Sequence, residues 1–222
     1  MRLSKADHDR VTAAVTQAEL ATDGEIVTVV AGRSDAYHDV ALHWTVLAML
    51  LVLALLAWMP MPVEWLHARL IDAWSETPPR WYLTFALLLM AVTFLVARVL
   101  LALDPVRMAL TPGATKARRV HRAAMKLFRT AAEKRTKAST GVLLYLSLAE
   151  HRAEIIADEA IHSRVAPDVW GDAMAALIAD VKDGRPGDGM AQAVAQIGAI
   201  LTQHFPRSEG DTNELPDRLI EL

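Results

Sequence analysis

Two runs of apolar residues, from about Trp44 to Met61 and from about Trp81 to Leu103, constrain this chain more than any other feature. Each is long enough for a helix to cross a hydrocarbon core, which takes about 20 residues for about 30 Å. The first run carries no charge. The second carries only Arg98, close enough to its C-terminal end for the guanidinium to reach headgroups while its stem stays in lipid. Paired core helices of a soluble protein would be amphipathic, whereas these runs are apolar all round. Residues 43–103 are therefore read as a transmembrane helical hairpin.

Between the runs, residues 62–80 hold Trp65 and Trp74 and are bounded by prolines. Val63, Leu66, Leu70 and Trp74 recur at helical spacing, and tryptophan prefers the headgroup level, so this loop is expected to form a short interfacial helix. Orientation follows from the bases. Arg107, Lys116, Arg118, Arg119, Arg122, Lys126, Arg129, Lys134, Arg135 and Lys137 follow the second span, opposed only by Asp104 and Glu133, while the loop offers Arg69 and Arg80. The positive-inside rule leaves the loop outside and both termini in the cytoplasm. The start, MRLSKADHDRVTAAVTQAEL, puts charges where a secretory signal would have its apolar region. The bases Arg107, Lys116, Arg118, Arg119, Arg122 and Lys126 are expected to face lipid. A nucleic-acid surface is disfavoured, since the run lacks interleaved aromatics and adjoins the membrane segment.

Subtracting the hairpin from 222 residues leaves enough chain for a soluble core. The absence of cysteine excludes disulfides, thiolate nucleophiles and cysteine-ligated zinc. Ser4 to Ala21 reads as a helix, with Ser4 and Asp7 as a capping box in which an acid one carbon shorter replaces the usual Glu. After Thr22-Asp23-Gly24, the stretch GEIVTVVA reads as a half-buried strand over Glu25 to Ala31. One helix and one strand make no stable core, so the strand must find its sheet beyond the hairpin.

That sheet is expected downstream. Pro112 opens a helix through Lys137, with Val120, Ala123, Ala124, Leu127 and Phe128 on one face and the bases on the other. GVLLYLSLAEHRAEIIAD reads as two strands, Val142 to Leu148 and Ala153 to Ala157, about a tight turn near Ala149 to Arg152. Two helices follow, one opened by Pro167 and closed by Gly184, the other stopped by Pro206. One α/β domain split by the hairpin, with parts at 1–34 and 112–206, accounts for the order of elements. The tail 207–222 is polar and acidic, expected to be mobile or draped along the domain with Leu219 and Ile220 docking.

TDGEIVTVV, a helix ending in KLF, then STGVLLYLSLAEHRAEIIAD, the turn GRPGDGMAQAV and the closing IGAILTQHFP together resemble the TPM domain. This family occurs in bacterial envelope proteins, a thylakoid-lumen repair protein and an animal receptor auxiliary subunit. The resemblance implies a TPM-like sandwich of a small sheet with helices, here split by a two-helix transmembrane hairpin. Two departures stand out. Typical members lie outside the cytoplasm behind a signal peptide, and many carry a glycine-tyrosine-glycine turn where Ala157-Asp158-Glu159-Ala160 stands here.

No P-loop, GxGxxG, HExxH or GxSxG is present. Some family members are described as acid phosphatases or as binding calcium, which would require clustered hard oxygen ligands. The one set of that character is Asp158, Glu159, His162, Asp168 and Asp172. Against it, Asp168 and Asp172 also suit the start of a helix, where negative charge meets the dipole. Trp170 reads as core, and Asp183, Arg185 and Asp188 as a turn between helices. The resulting expectation is a bacterial inner-membrane, two-span interaction module without a resident cofactor. Its partners would be membrane lipids and other membrane proteins, LemA-type by resemblance, with no nucleic acid. The alternative is a calcium-dependent or other divalent-metal phosphatase.

Overall fold

The computed structural model describes residues 3–72, 74–131, 140–209 and 214–222, without the side chains at 131 and 167. The chain divides into two units, Met1–Ala36 together with Gly113–Leu222, and Tyr37–Pro112.

The first unit begins with α1, Lys5–Glu19. Its capping box closes as expected: the Asp7 N–H donates to the Ser4 hydroxyl at 3.2 Å, and the Asp7 carboxylate accepts the Ser4 N–H at 3.0 Å. The strand β1, Glu25–Ala31, follows and is buried at every position. β2, Gly141–Ser147, lies beside it in parallel, with Glu25 opposite Gly141 and Ala31 opposite Ser147. β3, Arg152–Ala157, pairs antiparallel with β2. The two-residue β4, Ile220–Glu221, pairs with the other edge of β1, so the order is β3-β2-β1-β4.

The expected half-burial of β1 is corrected: helices cover both faces, as is usual for parallel strands. On one face Ile26, Val30, Leu144 and Leu146 share a core with Val11 and Val15 of α1 and with the two C-terminal helices. These are α8, Gly171–Lys182, and α9, Pro186–His204. On the other face Val27, Val29, Leu143 and Tyr145 meet Val120, Ala124 and Phe128 of α6, Gly113–Ala131. A parallel pair needs a connection that carries the chain back to the starting end of the sheet. Here that connection contains the whole second unit followed by α6. The expected continuation of α6 to Lys137 lies outside the described residues.

Small residues set the helix spacing. A Cβ on Gly198 would come 2.6 Å from that of Ala18, so α9 lies tight against α1. Between α8 and α9, Gly184 takes φ +78, its N–H reaches the Val181 carbonyl, and the Arg185 N–H reaches that of Asp180. This Schellman arrangement satisfies the last carbonyls of α8 and turns the chain. Ahead of α8, Pro167–Trp170 forms a 3-10 turn, so the expected single helix is two elements. The short α7, Glu159–His162, joins β3 to this region. The tail is drawn in by the buried Glu25 carboxylate, which accepts the Glu214 and Leu215 N–H groups at 3.1 and 3.2 Å, and Leu219 is buried beside β4.

The second unit holds α2, His38–Trp58, α3, Met61–Leu70, α4, Pro79–Ala102, and α5, Asp104–Leu110. The start of α2 lies against the end of α4. Both helices are long and apolar enough to cross a membrane. The interfacial stripe is corrected in part. α3 ends at Leu70, so Trp74 falls beyond it, and its buried residues are Val63 and His67, the latter edge-on to Trp81 at 5.2 Å.

Candidate functional site

Three groups of residues in the first unit could carry function, and they differ in what they leave free. The first is α6. Burying Val120, Ala124 and Phe128 at a spacing of four turns Arg118, Arg122, Lys126 and Arg129 to the exposed face. Among the described residues no acid pairs with any of these four. A shallow groove of about 710 Å³ runs along this face between the basic side chains and the half-buried Met125. A second hollow of about 360 Å³ continues from it over Ile155 of β3 to His162 of α7. His121 stands between the two, 3.4 Å from the Glu154 carboxylate. The surface can hold anions along a line, with an apolar floor.

The other expected lipid-facing bases are placed differently. Lys116 is half-buried, and Arg119 turns inward to pair with Asp35 at 2.8 Å, its side chain 17% exposed. Arg107 belongs to the second unit, where it is buried, bonds Asp104 and donates to the Leu101 carbonyl at 3.3 Å.

The second group is the acidic set. Asp158 is buried, and its carboxylate accepts the Gly141 N–H at 3.1 Å while its own N–H reaches the Gly141 carbonyl. It thereby joins the end of β3 to the start of β2. Glu159, His162, Asp168 and Asp172 are all exposed. Among the described residues no three acids or histidines converge as a metal would require.

The third group was not foreseen from sequence. At the C-terminal ends of β1 and β2, the Ser34 hydroxyl donates to Ser147 at 2.8 Å and lies 2.9 Å from the Tyr145 hydroxyl. Ser147 in turn donates to the Glu150 carboxylate, which also accepts the Ser34 N–H at 3.1 Å. Burial raises the Tyr145 phenol above its ordinary value and keeps it a neutral hydroxyl. Ser147 and Glu150 are themselves buried, and the cluster braces the chain where it leaves β1. Ser34 lies more than a hundred residues from the other three, and only the strand pairing brings it to them.

Comparison with known proteins agrees with the fold. Residues 106–200 match the TPM domain family, a span that starts in α5 and runs through most of α9. The NMR structure of the BA42 protein from the psychrophilic bacterium Bizionia argentinensis superposes with a TM-score of 0.57 at 17% identity, covering 100% of this chain and 97% of that one. At that identity the likeness shows the fold alone. No curated protein matches the chain at a significant level.

Proposed function

Starting from a chain that carries a TPM domain, we propose a membrane-anchored binding module that faces the cytoplasm from a bacterial inner membrane. It acts in assembly or maintenance of a membrane or envelope complex and has no catalytic activity of its own. The observation that carries this reading is the insertion of two apolar helices within the connection between β1 and β2. A two-span insertion returns the chain to the side it left, so both halves of one sheet sit on the same face of a bilayer. Basic residues dominate the segment after the second span, which favours the cytoplasmic face. The exposed row Arg118, Arg122, Lys126 and Arg129 suits anionic headgroups or an acidic partner surface.

Membrane proteins are the expected partners, since the anchor confines the module to their plane. The metal-dependent phosphatase alternative has weaker support, because Asp158 is committed to the backbone of β2 and a cation alone supplies neither nucleophile nor leaving-group acid.

The test is photo-crosslinking from Arg122 and Lys126 in intact membranes. A discrete set of inner-membrane proteins is expected, and recovery of abundant bystanders alone would contradict the module reading. Calcium-dependent phosphate release by the purified chain, lost in Asp158→Ala and Asp168→Ala, would establish the alternative.

A further inference from the structure

The second unit contains a pocket of about 500 Å³ at the end where α2 starts and α4 finishes. His38 and Thr45 line it from α2, Phe94 and Arg98 from α4, and Arg107 from α5. The spacing is helical on both sides: His38, Leu42 and Thr45 share one face of α2, and Phe94 and Arg98 share one face of α4. Two guanidinium groups therefore stand at one level of the hairpin.

Arg107 is the telling residue. It is 7% exposed, one Nη donates to the Leu101 carbonyl and the other bonds Asp104, yet its Nε is buried with no partner. An unmet buried donor on a cation is costly, and a bound anion would relieve it. Arg98 is exposed and pairs with no acid among the described residues. The walls that flank these cations are apolar and open, with Leu42 59% and Phe94 39% exposed. A free phosphate ion would gain nothing from them, whereas an amphiphile would use both parts.

We propose that this pocket binds an anionic glycerophospholipid, its phosphate between Arg98 and Arg107 and its acyl chains along Leu42 and Phe94. The inference rests on the membrane reading of α2 and α4. Basic pockets between spanning helices on the cytoplasmic side commonly hold anionic headgroups.

The test uses the full chain in detergent, loaded with phosphatidylglycerol or phosphatidylcholine and examined by native mass spectrometry. Retention of phosphatidylglycerol about tenfold over phosphatidylcholine is expected. Arg98→Gln should abolish the preference, and so should Arg107→Gln, while Lys5→Gln, exposed on α1, leaves it intact. Because Arg107 also caps α4, Arg98→Gln keeps the test decisive if Arg107→Gln fails to fold. Equal retention of the two lipids, or an unchanged preference in Arg98→Gln, would overturn the proposal. Displacement of the lipid by millimolar inorganic phosphate would overturn its lipid identity. Impermeant labelling of Ser75→Cys in cells separates the two levels: labelling from outside with no lipid preference sinks only this inference, and no hairpin in the membrane sinks the reading beneath it.

Discussion

Val29 of β1 stands opposite Tyr145 of β2 in parallel register, although the whole apolar unit lies between them in sequence. Neither half of the first unit has a core without the other, because the two layers of apolar contacts both draw on β1 and β2. Folding of the domain therefore waits for both sides of the hairpin to be made, and damage to one half should be felt in the other.

Leu144 is fully buried in β2 and shares its core with Val11 and Val15 of α1. Leu144→Ala should cost about 2–5 kcal/mol. Limited proteolysis is the readout, with cleavage within α1 rising together with cleavage near β2. Cleavage confined to the C-terminal half would mean that the halves fold apart.

The approach of α9 to α1 gives a second handle. Gly198→Ala would press a Cβ against Ala18 and should destabilise the fold by about 1–3 kcal/mol, despite alanine's better helix propensity. Ala18→Gly should recover part of that loss, giving a favourable coupling in a double-mutant cycle of denaturant midpoints.

At the start of α1, the side-chain and backbone hydrogen bonds from Ser4 hold the Asp7 carboxyl below its usual 3.8. Its contribution is complete above the unfolded value, where both states are ionised, and is lost as pH falls from there through the lower folded value. Ser4→Ala should cost about 1 kcal/mol at neutral pH and flatten the stability profile below about pH 4. An unchanged acid limb would remove Asp7 from the capping role.

Much of this layout is legible in the residues alone. The apolar runs, the valine-rich β1, the two-faced α6 and the β2–β3 hairpin all carry strong local periodicity. What escapes is non-local. A two-residue strand such as Ile220–Glu221 has no period to detect, and its place is set by the buried Glu25 carboxylate holding the backbone at Glu214 and Leu215. Asp158 looks like a ligand in sequence because nothing nearby reveals that its partner is the Gly141 N–H. The Ser34, Tyr145, Ser147 and Glu150 cluster is invisible until β1 and β2 are paired. Burial of β1 on both faces likewise depends on α6 covering the second side.

For α6, replacing Arg118, Arg122 and Lys126 with Gln should loosen contact with anionic lipid, at about 1 kcal/mol for each base near the surface. Hydrogen exchange of the full chain in nanodiscs reads this directly. Protection of the helix should be greater in phosphatidylglycerol than in phosphatidylcholine, and the triple variant should lose the difference. Equal protection in both lipids would argue for a protein partner on this face.

The chain has no cysteine, so single cysteines introduced at Asp9, Ser75 and Ser208, all exposed, report topology without background. An impermeant maleimide applied to intact cells should label Ser75→Cys, and should reach Asp9→Cys and Ser208→Cys only after the inner membrane is opened. Labelling of Asp9→Cys and Ser208→Cys from opposite sides, or of all three from the same side, would contradict a single domain split by a membrane hairpin.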